Sequence, residues 1–220
     1  MDGFVCVSKE INEITLNNKY NSIIIANGID MNKYTITKHH INHKAQVVFI
    51  GSPNQKWHGV DKFIYLSSKL IEYDFHIIGS NGENTKNLYY HGYLDENNAV
   101  KLLKKYDIGI SSTAMHRLSM QEASPLKSRQ YLAVGLPIIY AYEDTDIESE
   151  YSYPFTLQLP NNEKNVEDNI QNIKIFIDKV FNDILIRNEA RKFAQKYFDV
   201  RKKERKRLVF IEQVLFNSKR

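Results

Sequence analysis

Short apolar runs alternate with helical segments between residues 46 and 142, and this alternation constrains the fold more than any other feature. The runs at 47–50 and 75–78 each end at a glycine, and residues 60–71 between them have apolar side chains at helical spacing. Continuous apolar strands that alternate with helices are typical of a parallel sheet covered on both faces. The sequence therefore predicts an α/β fold, a Rossmann-like parallel sheet with helices on both faces. The further predicted strands are 87–90, 108–111 and 137–142, and the further predicted helices are 95–106, capped by Asp95, and 125–134.

The chain divides into four predicted segments. Residues 1–30 contain two short strands and one helix, too little to cover a core, and are interpreted as the end of a preceding domain. Residues 31–45 are polar and lack clear periodicity, which predicts a linker. Residues 46–160 form the main α/β domain. Residues 161–220 are predicted to be helices that pack on it, with one long helix over 185–216.

Composition says little about the partner and more about the compartment. The net charge of +4 and the sequence pI of about 8.9 suit anionic small molecules, acidic membranes or nucleic acid alike. Cys6 is the single cysteine, so no internal disulfide is expected, and a reducing cytoplasm is the simplest location. The first residues lack the pattern of a secretory signal, and the longest apolar stretch, 132–142, is too short to span a membrane. The scattered tyrosines form no RNA-binding motif, so no nucleic-acid partner is expected.

The loop after the strand at 47–50 reads GSPNQKWHG and combines glycines with basic side chains. Ligands of parallel sheets bind at the carboxyl ends of the strands, which makes this loop a candidate site. Gly51 permits close approach of the backbone, and Lys56 and His58 are suited to contact a phosphate. The loop matches neither the GxGxxG fingerprint nor the GxxxxGK P-loop. A phosphate loop and a plain strand-to-helix turn therefore both stay open.

The stretch QEASPLKSRQYLAVGLP carries a denser set of signals. Ser124 followed by Pro125 predicts a helix start, with the serine as cap and the proline at the first helical position. The free amides of that helix end suit a diphosphate, and Lys127 adds a full positive charge. Glu122 precedes the helix, where a buried carboxylate needs donors such as sugar hydroxyls, and Gln130 lies within reach of ribose hydroxyls. A solvated glutamate is the simpler interpretation of Glu122 alone, but the combination favours a binding site.

The stretch EASPLKSRQYLAVGLPII resembles the donor-site motif of the retaining GT-B glycosyltransferases called glycosyl transferase group 1, which are family 4-like. Members carry a glutamate, seven residues and a second glutamate, followed by Tyr-Leu-Ala or Ala-Met-Ala, Gly and Pro. Here Glu122 takes the first position and Gln130 the second, with the spacing of seven intervening residues kept.

The resemblance extends beyond this motif. The sequence ANGID at 26–30 resembles the interdomain element of the family, and KYDIGI at 105–110 resembles the strand before the donor loop. His58 precedes a glycine where members often have a lysine. The resemblance covers about residues 5–142. It implies that the sheet is the C-terminal half of a GT-B fold, with 46–160 as the nucleotide-sugar donor domain.

The resemblance implies a role for each site residue. Glu122 is the implied catalytic residue and contacts the donor sugar, while Gln130 holds the ribose. Gly92 and Tyr93 lie near the base. Positioned donors stabilise the charge on the leaving diphosphate, with no bound metal and no cofactor besides the UDP- or GDP-sugar substrate. The implied phosphate-binding residues are Gly51, Ser52, Lys56, His58, Pro125, Leu126 and Lys127.

The implied activity is transfer of a hexose-type sugar, with retention, to a glycan or lipid-linked acceptor in polysaccharide biosynthesis. Because the acceptor-binding N-terminal domain is missing, we expect this fragment to bind nucleotide weakly and to transfer little sugar. Three residues differ from the usual pattern, namely Ser52 for arginine, His58 for lysine and Gln130 for glutamate. Either Lys56 or Lys127 substitutes for the missing cations, or the affinity for the donor is low. The alternatives are a GT-B nucleotide-sugar epimerase and a nonenzymatic nucleotide-binding or assembly module.

Other candidate features receive simpler interpretations. The HHxxH cluster at 39–43 lies in the predicted linker, which lacks the fixed geometry of a metal site, so no metal is expected. Arg117 is interpreted as a solvated loop arginine, with a contact to the donor or acceptor as the alternative, and Trp57 is interpreted as packing under its loop. The basic run at 201–207 predicts the solvated face of a long helix. Peripheral contact with the inner face of a membrane is the alternative.

Overall fold

The computed structural model describes residues 3–16, 19–36, 41–52 and 54–217. The strands are β1 (Phe4–Cys6), β2 (Ser22–Ile24), β3 (Gln46–Ile50), β4 (Asp74–Ile78), β5 (Leu88–Tyr90), β6 (Ile108–Ile110), β7 (Glu122–Ala123), β8 (Ile138–Tyr140), β9 (Glu143–Asp144) and β10 (Thr156–Gln158). The α-helices are α1 (Lys9–Leu16), α2 (Val60–Lys69), α3 (Glu96–Leu103), α4 (Leu126–Ala133), α5 (Ile170–Val180), α6 (Ile184–Tyr197) and α7 (Val200–Asn217). Short 3-10 helices cover Met31–Lys33, Lys56–His58, Met115–Leu118 and Glu167–Asn169.

Six parallel strands form the main sheet, in the order β10-β8-β6-β3-β4-β5. The chain runs outward from β3 to β4 and β5, then crosses back to β6 on the other side of β3 and continues to β8 and β10. Val47 of β3 pairs with Phe75 of β4 on one side and with Ile108 of β6 on the other. The strand order therefore reverses between β3 and β6, and the carboxyl ends of these strands are where such sheets form a ligand crevice.

The predicted fold class is confirmed. The apolar runs that predicted strands lie in the main sheet, and Val47, Val48 and Phe49 of β3 are completely buried. Asp95 caps α3 as predicted, since its carboxylate accepts a 3.0 Å hydrogen bond from the amide of Asn98. Two features were not predicted: β10 extends the sheet at one edge, and β7 pairs with β9 in a separate parallel pair. Strands of two residues, and an edge strand that is only half-buried, carry almost no pattern.

The N-terminal unit, the described part of residues 3–30, packs onto the main domain. Its strands β1 and β2 pair in parallel, and α1 connects them. The amide of Asn27 donates to Ser124 Oγ over 2.8 Å, and Asn27 Nδ2 donates to the Ser124 carbonyl over 2.7 Å. A bridge also joins Ile29 to Asp199 near the start of α7. The unit is therefore fixed to the segment that leads into α4.

The segment predicted as a linker is packed where the structure describes it. Asp30 caps the 3-10 helix Met31–Lys33, and Met31 is buried. Tyr34 is only 1% exposed, so its ring belongs to the core of the main domain. The cluster at 39–43 lies partly outside the described residues, because residues 37–40 are not among them.

The prediction of one long helix over 185–216 is wrong, because the chain breaks into α6 and α7. The amide of Ile29 donates to the carbonyl of Phe198 over 2.9 Å, and the amide of Val200 donates to the carbonyl of Ile29 over 2.9 Å. Ile29 of the N-terminal unit thus binds the Phe198 carbonyl and the Val200 amide, which a continuous helix would use for its own hydrogen bonds. The apolar side chains that α7 exposes are Leu208, Val209, Ile211, Leu215 and Phe216. Within the described ranges, no helix combines the length and apolar character needed to cross a membrane.

Candidate functional site

A cavity of about 500 Å³ lies at the carboxyl ends of β3 and β6, where the strand order reverses. The loop after β3, the loop after β6 and the first turn of α4 form most of its wall. Val7 and Ile11 of the N-terminal unit form the rest. The cavity therefore lies between the N-terminal unit and the main domain.

The cavity gathers most of the predicted phosphate site. The predicted residues that line it are Gly51, Ser52, His58, Pro125, Leu126, Lys127 and Gln130. The predicted residues that do not line it are Lys56, Gly92, Tyr93 and Glu122. The two loops that looked suitable for phosphate separately in the sequence thus meet in space.

The N-terminus of α4 differs from its prediction in one respect. Ser124 is not the cap; Pro125 is, with extended backbone angles of −68° and 136°, and α4 begins at Leu126. The reason is that Ser124 Oγ already accepts the hydrogen bond from the Asn27 amide. Because proline offers no side-chain cap, no side-chain oxygen in the described part of the chain caps the first turn of α4. This helix end, with its partial positive charge, opens onto the cavity.

Lys127 provides the most unusual group of the cavity. Its side chain is buried, and among the described residues its ammonium has no hydrogen-bond partner. The nitrogen lies 4.6 Å from the centre of the Phe49 ring, which is a favourable but weak contact for a cation. Burial lowers the pKa of the Lys127 ammonium to about 7. A buried cation without an anion is costly, so an anion is the kind of ligand that this part of the cavity favours.

His58 ends the 3-10 helix of the first loop and is held next to this lysine. Its Nδ1 is buried without a hydrogen-bond partner among the described residues. Burial, and then the charge of Lys127, lowers the pKa of His58 to about 4, so the imidazole is neutral near pH 7. Gly59 follows in the left-handed region at φ 79°, where a side chain would collide with Thr113. His58 therefore offers a neutral donor or acceptor instead of the second cation that a lysine would supply.

Gly51 contributes space but no free donor. Its amide donates to the carbonyl of Ile78 over 2.9 Å and so continues the β3–β4 ladder. The side chain of Tyr131, from α4, supports the same strand end, because its hydroxyl accepts the Ile50 amide over 2.6 Å. The strand end is thus rigid where the cavity begins.

Gln130 is held in one orientation by Tyr34. Gln130 Nε2 donates to Tyr34 Oη over 3.1 Å, and Tyr34 Oη donates to Glu96 Oε1 over 3.4 Å. Burial raises the pKa of the Tyr34 phenol, so the hydroxyl keeps its proton and can make the second bond. This bond uses one of the two Nε2 hydrogens and holds the amide in place, so Gln130 keeps its carbonyl oxygen Oε1 and its second Nε2 hydrogen for a ligand.

Glu122 is buried in β7, next to the cavity wall formed by Ala123 and Ser124. Its Oε2 accepts a 3.0 Å hydrogen bond from the amide of Glu10 in the first turn of α1. Glu10 Oε2 in turn accepts the amides of Gln121 and Glu122, each over 2.8 Å. Glu122 therefore links α1 to the segment that leads into α4, and it is not a solvated glutamate.

The remaining predicted residues lie further from the cavity. Lys56 is exposed, and its carbonyl accepts a hydrogen bond from Arg117 over 3.0 Å. Gly92, in the left-handed region at φ 63°, accepts the Gly79 amide over 2.8 Å. Tyr93 is 74% exposed and does not line the cavity. A base contact at Gly92 and Tyr93 stays a prediction.

Arg117 is not the solvated loop arginine that was predicted. Its guanidinium makes two hydrogen bonds to Asp61, of 2.9 and 2.7 Å, and also pairs with Glu163. These ion pairs join the loop after β6 to α2. Trp57 packs against the core as expected and lines the cavity as well.

Sequence reasoning missed the most deeply buried ionic group, Arg129 of α4. Its side chain is completely buried, pairs with Asp144 and lies 3.2 Å from Asp146. It also lies over the ring of Phe198 at 4.8 Å. Among the described residues, no cluster of three or more His, Cys, Asp or Glu side chains is arranged to hold a metal ion.

No protein-family model and no curated protein sequence matches the chain. Its fold matches solved structures of GT-B glycosyltransferases. One is sucrose-phosphate synthase from Thermosynechococcus elongatus, at 12% identity and a TM-score of 0.74, covering 98% of this chain and 59% of that one. A second is a glycosyltransferase from Rickettsia africae, at 16% identity and a TM-score of 0.74, covering 97% of this chain and 64% of that one.

A third match is Anabaena HepE in complex with UDP-glucose, at 15% identity and a TM-score of 0.65, covering 98% of this chain and 63% of that one. The chain therefore spans less than two thirds of the length of each of these structures. At such low identities the similarity establishes the Rossmann-like fold of a GT-B half.

Proposed function

We propose that this chain is the donor-binding part of a retaining glycosyltransferase that uses a UDP- or GDP-sugar. The observation that carries the proposal is the buried ammonium of Lys127, which has no partner among the described residues and faces a cavity at the switch point of the sheet. An anion is the ligand that such a group binds best, and a nucleoside diphosphate brings two phosphates. The UDP-glucose complex of HepE, a structure with a similar fold, supports this ligand class.

The phosphates of the donor would lie at the first turn of α4. There they would meet the uncapped amides and Lys127, which together stabilise negative charge on the leaving diphosphate. We propose that no bound metal ion takes part in this step. Ser52 and neutral His58 complete the wall as hydrogen-bonding groups. Lys127 is the one lysine or arginine in the described part of the wall, and its pKa of about 7 leaves it only partly charged, so we expect modest affinity for the nucleotide.

The nucleoside and the sugar would lie on either side of this phosphate site. Gln130 would accept hydrogen bonds from the ribose through Oε1, the oxygen that its bond to Tyr34 leaves available. Glu122 would contact sugar hydroxyls through Oε1, since its Oε2 already accepts the Glu10 amide. The loop at Gly92 and Tyr93 would contact the base.

The complete reaction would transfer a hexose-type sugar to a glycan or lipid-linked acceptor, in polysaccharide biosynthesis at the cytoplasmic side of a membrane. We propose that an N-terminal acceptor-binding domain is needed for this, and that the 220-residue chain alone transfers little sugar. The share of the solved structures that the chain covers, 59–64%, supports this expectation.

Titration calorimetry with UDP, GDP and their glucose or mannose conjugates tests the proposal. We expect one of the two nucleotides to bind, and Lys127→Met to weaken that binding by about tenfold or more, as for the loss of a charge-assisted hydrogen bond. The matched control is Lys101→Met, which removes an exposed lysine of α3. If the folded chain binds neither nucleotide, or if both variants bind as the native chain does, the donor site is not here. Nucleotide binding without any sugar contribution would instead favour a nonenzymatic binding module.

A further inference from the structure

A second cavity, of about 380 Å³, lies between the N-terminal unit and the start of α7. Its wall combines Ile24, Ile25 and Ala26 of the N-terminal unit with residues from the end of α6 and the first turns of α7. Among the described residues, it shares no lining residue with the first cavity. It is therefore a separate candidate site that the proposed donor function does not use.

Lysines dominate the polar part of this wall. The lysines that line it are Lys9, Lys196, Lys202, Lys203 and Lys206. Asp146 is the one acidic residue of the lining, and both of its oxygens accept hydrogen bonds from Lys203, over 2.8 and 2.9 Å. Arg129 also lies 3.2 Å from Asp146. The Asp146 carboxylate thus already binds Lys203 and Arg129. Among the described residues of the wall, the other four lysines have no acidic partner.

The other four lysines differ in how strongly they are held. Lys202 donates to the carbonyls of Gln195 and Lys196 at the end of α6, over 3.0 and 3.2 Å. Lys196 lies over the ring of Tyr197 at 4.7 Å. Lys9 and Lys206 are exposed and make no hydrogen bond or ion pair with any described residue. These two ammonium groups belong to different helices, α1 and α7, and are available to a ligand.

The charge arrangement favours a compact anion. Several like charges around a concave surface raise the local positive potential and attract anions. An ammonium is a compact charge with three donors, which suits the oxygens of a phosphate. The apolar wall of Ile24 and Ile25, with the ring of Tyr197, offers a surface for the carbon skeleton of the same ligand.

We propose that the second cavity binds a phosphate monoester or diester, with its phosphate between Lys9 and Lys206 and its organic part on Ile24 and Ile25. The ligand is either a free phosphorylated small molecule or the headgroup of a phospholipid, which offer the same chemistry. Because Lys9 belongs to the N-terminal unit and Lys206 to α7, the bound phosphate also fastens these two parts together.

The test uses the full chain and two probes, glycerol 3-phosphate in solution and vesicles of phosphatidylcholine with phosphatidylglycerol. The variant is the double substitution Lys9→Gln and Lys206→Gln. The matched control is Lys101→Gln with Lys179→Gln, which removes the same charge from exposed positions outside both cavities. We expect the cavity variant to bind the preferred probe at least about tenfold more weakly per lysine removed, and the control to bind as the native chain does.

Each outcome decides between the ligands or rejects the site. Binding of glycerol 3-phosphate that the cavity variant loses assigns a free phosphorylated ligand. Binding of phosphatidylglycerol vesicles alone, lost in the same variant, assigns a lipid headgroup. Absence of binding to both probes, equal loss in the control pair, or loss of glycerol 3-phosphate binding in Lys127→Met would overturn the proposal. Thermal unfolding of both double variants confirms that each is folded.

Discussion

Two buried cations lie two residues apart on α4, and the fold treats them in opposite ways. Arg129 is completely buried and is paired with Asp144 and Asp146. Lys127 is 6% exposed and, within the described part of the chain, has no hydrogen-bond partner. Residues two apart on a helix point to opposite sides, so one cation faces the protein and the other faces the cavity. Arg129 has carboxylate partners within the protein and stabilises the fold. Lys127 has none among the described residues, so it is suited to bind an anionic ligand.

The largest expected effect follows from removing the paired cation. Arg129→Met leaves Asp144 as a buried carboxylate without its main partner, so we expect the free energy of unfolding to fall by about 3–5 kcal/mol. Urea unfolding measures the loss. Adding Asp144→Asn should recover part of it, because the buried charge is then gone. A loss below about 1 kcal/mol would mean that Arg129 does not stabilise the fold as a paired charge.

Replacing the unpaired cation, Lys127, is expected to raise the free energy of unfolding, whereas replacing Arg129 lowers it. The pKa of Lys127 is lowered from 10.5 to about 7 in the folded chain, so the unfolded chain binds more protons between these values. Stability from this group therefore rises as the pH rises from about 7 to 10.5 and is lowest below about 7. Lys127→Met should raise the unfolding free energy near neutral pH by roughly 2–4 kcal/mol and abolish this pH dependence.

Urea unfolding across that pH range, with Lys101→Met as the control, measures both effects. A Lys127→Met chain that is less stable than the native one would show that the ammonium is compensated by a group inside the fold. The comparison with Arg129 would then fail.

Nucleotide binding is expected to be coupled to proton uptake by Lys127, which further distinguishes it from the paired Arg129. A bound diphosphate stabilises the charged ammonium and raises the pKa of Lys127, so above about pH 7 binding takes up close to one proton. We expect UDP or GDP affinity to fall with rising pH, by up to about tenfold per unit. Calorimetry near pH 8 in buffers of different ionisation enthalpy measures the uptake. The uptake should disappear in Lys127→Met and remain in Lys101→Met.

The smallest expected effect concerns the orientation of Gln130. Tyr34→Phe removes the acceptor of Gln130 Nε2, so the amide can turn its donor toward the cavity. We expect the affinity for UDP or GDP to fall by about threefold to tenfold, and the affinity for pyrophosphate, which has no ribose, to stay unchanged. Tyr151→Phe, at an exposed position, is the control. Equal losses for nucleotide and pyrophosphate would show that Tyr34 acts on the fold and not on the ribose contact.

The strands and the predicted residues that line the first cavity could be found from the sequence because their signals are local. Apolar runs ending at Gly51 and Gly79 mark buried parallel strands, and Lys127, two residues after Pro125, marks a basic helix start. The family resemblance depended on the same short stretch. Each of these features depends on residues that are close together in the sequence, so a single sequence is enough to find them.

The features that were missed depend on partners far along the chain. Ser124 fails as a cap because Asn27, about a hundred residues earlier, takes its hydroxyl. Arg129 gave no signal because Asp144 and Asp146 lie beyond an intervening strand. Tyr34 looked like part of a polar linker, although its ring is buried and its hydroxyl holds Gln130. No periodicity encodes such contacts, since the fold alone brings these residues together.

The ionic network around Asp146 also sets an order of events during synthesis on the ribosome. Arg129, Asp146 and Lys203 enter the network from three segments that leave the ribosome at different times. Until the turn of α7 that holds Lys203 has emerged, Arg129 and Asp146 can associate but the network is incomplete. The network that holds α4, Asp146 and α7 together is therefore completed only when α7 folds against the rest of the chain.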